Sequence, residues 1–253
     1  MLLVAINTSG RHGGVALCRA EQDSFETLAQ QVLEGGTYSA RLIPLISELL
    51  AAHSISQQQI GAFVVVSGPG SFTGLRVGIA TVKGLCEVLH TPLVAISMLE
   101  AVAIARGPGG LSGDLKGHGF SRAEEHHASG ALAAAATPSK SIVALDAGRG
   151  EAYVGEFELI GQRVTLVREY ITKPASFADT VALTDSPVLT PDSKVADSLI
   201  ADGIGVLRVE PVQASEIGLL GYRKLLSGEV TDPATLDANY IRRSDAELFS
   251  APK

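Results

Sequence analysis

The chain has 253 residues, 46% of them hydrophobic and 19% charged, enough for one large domain or two small ones around a packed core. A formal net charge of -7 argues against a protein that grips nucleic acid by itself, since such binding depends on Lys and Arg neutralising phosphates; any RNA substrate would need a basic partner. Two widely separated cysteines, Cys18 and Cys86, cannot form a disulfide framework or a C-x-x-C pair and read as small core residues.

Met1 to Asn7 lacks a basic n-region, and its apolar run is too short for export or for spanning a membrane, so a cytoplasmic location is the expectation. Val4-Ala5-Ile6-Asn7-Thr8-Ser9-Gly10, followed by Gly14-Val15-Ala16-Leu17, reads as strand, polar turn, strand. A helix is predicted over Tyr38 to Ala52. Its apolar residues Leu42, Ile43, Leu45, Ile46, Leu49 and Leu50 make a band wider than one core-facing stripe needs, leaving a surplus face for a protein. Pro44 predicts a true helix start near Ile43 or a kinked first turn.

Phe63-Val64-Val65-Val66 is short, apolar and β-branched, as a central strand should be. Gly68-Pro69-Gly70-Ser71-Phe72-Thr73-Gly74 ends it and leads into a helix whose inward face carries Leu75, Ile79, Val82, Leu85 and Leu89. Ser71 or Thr73 is the candidate N-cap. Gly68, Gly70 and Gly74 permit positive φ or close backbone approach, and helix-start amides favour an anion. The spacing nevertheless misses G-x-G-x-x-G by one residue, has no Gly-Lys-Ser or Gly-Lys-Thr, and fails G-x-S-x-G. A tight packing turn and an anion or partner site both fit it.

Between 107 and 141 the chain turns Gly-rich and then Ala-rich, as an inserted and partly disordered linker would. Within it, Glu124-Glu125-His126-His127 does not match H-E-x-x-H and reads as solvated surface. Val143-Ala144-Leu145-Asp146-Ala147-Gly148-Arg149-Gly150, followed by Ala152-Tyr153-Val154-Gly155, then echoes the opening strand, turn and strand. Two readings stand: a duplicated half-domain, whose facing turns would clasp a nucleotide's phosphates across a cleft, or two unrelated hairpins.

GPGSFTGLRVGIATVKGL, with the Val-rich strand before it and Pro92 to Glu100 after it, closely resembles the TsaB (YeaZ) family. LLVAINTSGRHGGVAL, SIVALDAGRGEAYVGEF and the tail Ala238-Asn239-Tyr240-Ile241-Arg242-Arg243 agree with the same family, so the resemblance spans nearly everything outside 107–141. It implies an α/β chain of the actin-like, Hsp70-like and sugar-kinase-like (ASKHA) fold, built on two ribonuclease-H-like lobes, 1–106 and 142–253. It also implies a non-catalytic scaffold and activator. Such a subunit dimerises with a TsaD-like catalytic subunit for threonylcarbamoyl transfer to the adenosine beside the anticodon of tRNAs reading codons that begin with A. A TsaE-like ATPase engages the pair, tRNA is met only through the complex, and the chain alone forms a homodimer.

The two helices through which the family dimerises would place Arg41, Leu42, Leu45, Ile46, Leu49, Phe72, Thr73, Arg76, Val77, Ala80 and Lys83 at the partner interface. For Arg76 and Lys83, a role in merely solvating a helix is the other reading. Asn7, Thr8, Ser9 and Gly10 would be a vestigial nucleotide-binding turn. The chain would carry no cofactor and no metal of its own, with ATP or ADP left open at the complex interface. Asn7 stands where the family usually has Asp, which loses a carboxylate for Mg²⁺ or a metal-bound water. Tyr38-Ser39-Ala40 stands where the family commonly has His-Ser-Glu, and the paralogue's metal-binding histidine pair is missing between Thr37 and Ala52. The rival readings are a kinase-like or peptidase-like enzyme, with Asp146 the one acidic candidate in the motifs, or a freestanding homodimeric binding module.

Overall fold

The structure is a computed structural model, and it describes residues 1–22, 24–107, 139–160, 163–173, 187–239 and 241. The expected linker therefore lies outside the described residues from 108 to 138, and the Glu124 to His127 run lies outside them altogether.

The first half folds as β1 (Leu2–Asn7), β2 (His12–Glu21), β3 (Ser24–Glu34), α1 (Tyr38–Ala52), β4 (Ile60–Gly68), α2 (Phe72–Leu89), β5 (Leu93–Ser97) and α3 (Met98–Arg106). The second half follows with β6 (Ser139–Gly148), β7 (Glu151–Ile160), β8 (Arg163–Thr172), β9 (Val188–Thr190), α4 (Ser193–Ala201), β10 (Val206–Arg208) and α5 (Ala214–Leu226). The first sheet has the order β3-β2-β1-β4-β5, and the second, read from its other end, β8-β7-β6-β9-β10. In each, three strands run antiparallel and the last two are added in parallel. Two sheets with one topology and one sense of pairing are a duplication, which settles the choice left open by the echoing strands.

The Val-rich run of β4 is the strand between β1 and β5, and its register sets Phe63 beside Val4 and Leu93. Both faces of the first sheet are covered, so successive residues are apolar instead of alternating with polar ones. α1 and α2 lie on one face; α5, from the far end of the chain, packs on β1 and β2 from the other. α5 falls within the span expected for the second lobe, yet the first sheet is what it covers. α3 contacts both sheets, and one apolar core runs from Leu3 and Val64 through α3 to Val143 and Phe157. A smaller core under α4 takes the opposite face of the second sheet, with Ile142, Ala144, Val154 and Leu199.

Where α3 ends and α5 begins, the Arg106 guanidinium donates to both carboxylate oxygens of Glu216 at 2.6 and 2.8 Å. Glu216 also accepts the Gln213 N–H at 2.7 Å, so one nearly buried carboxylate caps α5 and anchors α3.

The helix start expected near Ile43 is corrected. α1 starts at Tyr38 and runs through Pro44. Proline removes the donor for the Ala40 carbonyl, but both residues are exposed, so water can satisfy that group at little cost.

Candidate functional site

The end of β1 and the start of α2 meet through backbone. Asn7 closes a local turn, its Oδ1 accepting the Ser9 N–H at 3.0 Å and the Ser9 hydroxyl at 2.7 Å. The Ser71 N–H donates to the Ser9 carbonyl at 2.6 Å. Ser71 is the N-cap of α2 and accepts the Gly74 N–H at 3.3 Å.

A side chain at Gly70 would overlap the Ser9 carbonyl, one at Gly74 the Thr8 carbonyl, and one at Gly78 the Thr8 hydroxyl. Gly74 and Gly78 stand one turn apart on one side of α2, and with Gly70 just before the helix they form a flat bed for the turn. Gly68 and Gly70, at φ of 132° and 159°, also hold backbone that other residues seldom adopt. From the other side the Tyr38 hydroxyl donates to the Gly10 carbonyl at 2.7 Å, and burial pushes its pKa up.

Asn7, Thr8 and Ser9 are consequently buried, Thr8 at 0% exposure, while Gly10 is half-buried. The four residues expected to face a nucleotide are a closed turn. Gly78 and Tyr38 were missed as parts of it, although the four-residue spacing of Gly70, Gly74 and Gly78 was visible in the sequence.

The expected interface residues divide in two. Leu42 and Leu45 are each 1% exposed, and Ile46 and Leu49 are also buried in the chain's own core. They hold α1 against the sheet and α2 and are closed to a partner docking on the folded chain. Arg41, Phe72, Thr73, Arg76 and Ala80 are exposed, and Val77 is half-buried.

The Arg76 guanidinium stacks on the Phe72 ring at 3.9 Å, presenting a flat cationic and aromatic surface at the first turn of α2. Elsewhere on the two helices Ile43 of α1 and Val88 near the end of α2 are exposed at 54% and 76%. A groove between α1 and α2 is lined by Ile43, Ile46, Leu50, Phe63, Leu85 and Leu89. Lys83 fits neither of its expected roles: its ammonium donates to the Leu236 carbonyl at 2.9 Å, with the Ala234 carbonyl at 3.5 Å. Its work is to hold the C-terminal segment on α2.

The second lobe's turn is built differently. Asp146 Oδ1 accepts the Gly148 N–H at 2.7 Å, and Arg149 and Gly150 have φ of 57° and 73°, the backbone of a two-residue hairpin loop. This turn is exposed. It meets α4 through the N-cap residue Asp192, whose Oδ2 accepts the Asp146 N–H at 2.8 Å. Burial raises the Asp192 pKa; the Asp146 N–H opposes this, and the Asp146 charge adds to it. Asp146 and Asp192 are thus two neighbouring carboxylates, and among the described residues no three His, Cys, Asp or Glu side chains come together as a metal site would need.

Two sheets of ribonuclease-H-like order, bridged by α3 and each bearing a turn between its first two strands, define an actin-like fold of two α/β lobes. A solved Pseudomonas aeruginosa protein, described as having similarity to peptidase YeaZ, shares the fold with a TM-score of 0.69 and 21% identity, over 95% of this chain and 99% of that one. The family model described as TsaD, tRNA N6-adenosine threonylcarbamoyltransferase, matches residues 35–112, from just before α1 to just past α3.

Among curated relatives, the tRNA threonylcarbamoyladenosine biosynthesis protein TsaB of Bacillus subtilis is 27% identical over 98% of this chain and 96% of its own length. TsaB of Haemophilus influenzae is 38% identical over 42% of this chain, and the match spans 43% of that relative. The chain is thus similar to TsaB (YeaZ) proteins, to one of them over nearly its whole length.

Proposed function

We propose that this chain is the non-catalytic scaffold and activator subunit of a tRNA threonylcarbamoyladenosine-synthesising complex. Its partner is a TsaD-like catalytic subunit that transfers the threonylcarbamoyl group to the adenosine beside the anticodon, and a TsaE-like ATPase engages the pair. The relatives are named for this pathway. The observation that carries the non-catalytic role is the closed first turn: Ser9 and Thr8 spend their backbone and space on Gly70, Ser71 and Gly74 of the same chain. Phosphates bound there would have to displace α2.

The partner face of this reading is the outer side of α1 and α2, from Arg41 and Ile43 to Phe72, Thr73, Arg76 and Ala80. Aromatic and Arg side chains are the types most often found as binding anchors. The net charge of -7 fits a subunit that meets tRNA only through its partners. Free of a TsaD-like subunit, the same face pairs with a second copy, and the complex works in the cytoplasm.

Titration of the TsaD-like subunit with this chain, followed by light scattering after size exclusion, tests the reading. A one-to-one complex that Arg76→Glu weakens at least roughly tenfold is the expected result. No complex with the wild-type chain, or ATP or peptide turnover by this chain alone, overturns it.

A further inference from the structure

The tail motif Ala238 to Arg243 takes no part in the function proposed above, yet Asn239 stands where three pieces of the molecule meet. The C-terminal segment first runs along the edge strand β5: the Thr231 N–H donates to the Leu93 carbonyl at 2.7 Å, and the Thr231 hydroxyl accepts the Ala95 N–H at 3.0 Å. Lys83 of α2 then holds it at Leu236. At its end the Asn239 N–H donates to the Ser67 carbonyl at 2.7 Å, at the end of β4 just before the Gly68 to Gly74 loop. Gly68 has no room for a side chain, because a Cβ there would stand 2.8 Å from the Asn239 carbonyl oxygen.

The Asn239 side chain reaches the other way. Its Nδ2 donates to Glu169 Oε2 at 2.8 Å, and Glu169 belongs to β8 of the second sheet. The other oxygen of Glu169 accepts the Ser97 hydroxyl at 3.3 Å, and that hydroxyl is also the N-cap of α3. One carboxylate of the second lobe therefore fixes the β5–α3 junction and, through Asn239, the strand end that carries the loop into α2. From Ser67 the chain of contacts runs on through Gly70 and Ser71 to the closed turn at Ser9.

We infer that Glu169 is a positioning residue that couples the second lobe, through Asn239, to the first turn of α2 and so to Phe72 and Arg76. Hydrogen bonds to a charged acceptor are the stronger class, and this one joins segments 70 residues apart. A packing staple would stiffen only β8 and the tail. A coupling device also sets the α2 start. The consequence for partner binding rests on the proposed function; the coupling itself does not.

Amide exchange in the full-length free chain reads the coupling, and affinity for the TsaD-like subunit reads its consequence. Asn239→Asp sets two carboxylates against each other, so the Ser71 and Gly74 amides should exchange roughly tenfold faster or more. Glu169→Gln with Asn239→Asp reverses donor and acceptor and should restore both slow exchange and affinity. Should Asn239→Asp fail to fold, Glu169→Gln alone supplies the same reading with a milder change. Unchanged exchange at Ser71 and Gly74, with faster exchange confined to β8 and residues 231–239, overturns the coupling. Faster exchange at Ser71 and Gly74 with unchanged partner affinity upholds it and overturns the α2 start as a partner face.

Discussion

The two turns that close β1 and β6 occupy the same place in two sheets of the same order, and their surroundings are opposite. In the first lobe the turn lies on bare backbone, because Gly70, Gly74 and Gly78 offer no side chains, and Thr8 is sealed. In the second the following helix meets the turn through a side chain, the Asp192 carboxylate, and Asp146 to Gly150 stays largely exposed. Duplication fixes strand order. The volume of side chains at a helix start then decides whether the turn is covered or open, and with it whether a lobe can offer amides to a ligand.

The comparison breaks most severely if the helices that cover the first turn are lifted from their sheet. Leu45→Asp places a charge at a site 1% exposed and should cost more than about 4 kcal/mol, read as loss of the cooperative unfolding transition and of soluble monomer. Gly74→Ala, which drives a methyl group into the Thr8 carbonyl, should cost about 3 kcal/mol by chemical denaturation. Gly148→Ala in the open turn meets nothing within 4 Å and should cost about 1 kcal/mol, the strain of a left-handed backbone alone. Equal costs for the two alanines would remove the distinction between a covered and an open turn.

The smallest effect is in the pH profile. Burial raises the Asp192 carboxyl above its ordinary 3.8, so the folded chain holds that proton more tightly than the unfolded chain does. Its contribution to stability is complete below about pH 3.8 and is lost as pH rises through the raised folded value. Asp192→Asn keeps a carbonyl for the Asp146 N–H and removes the titration, so the stability curve should flatten over that range. The first-lobe turn has Asn7 instead of a carboxylate, and Asn7→Ser should leave the shape of the curve unchanged.

The duplication was legible because two runs of alternating strand and turn residues, Val4 to Leu17 and Val143 to Gly155, share a pattern that needs no distant information. Ser71 was legible as an N-cap for the same local reason. What escaped depends on contacts far apart in the chain. Lys83 looks like any solvated helix lysine until Leu236 arrives beside it, and Asn239 looks like a turn residue until Glu169 meets it.

The surplus apolar band of α1 was read as a partner face, but a helix covering both a sheet and a neighbouring helix needs two stripes. Leu42, Leu45, Ile46 and Leu49 are used up that way, and Ile43 is what remains outside. The glycines of the loop were read for positive φ or close backbone approach and for an anion; Gly74, inside α2, serves close approach.

The most direct test of the account is tRNA threonylcarbamoylation by the TsaD-like and TsaE-like proteins of the same organism, supplied with a threonylcarbamoyl donor and run with and without this chain. The account predicts that transfer collapses when the chain is omitted, is restored by the wild-type chain and only weakly by Arg76→Glu, and that the chain alone turns over no ATP. Transfer that proceeds equally well without the chain would contradict it.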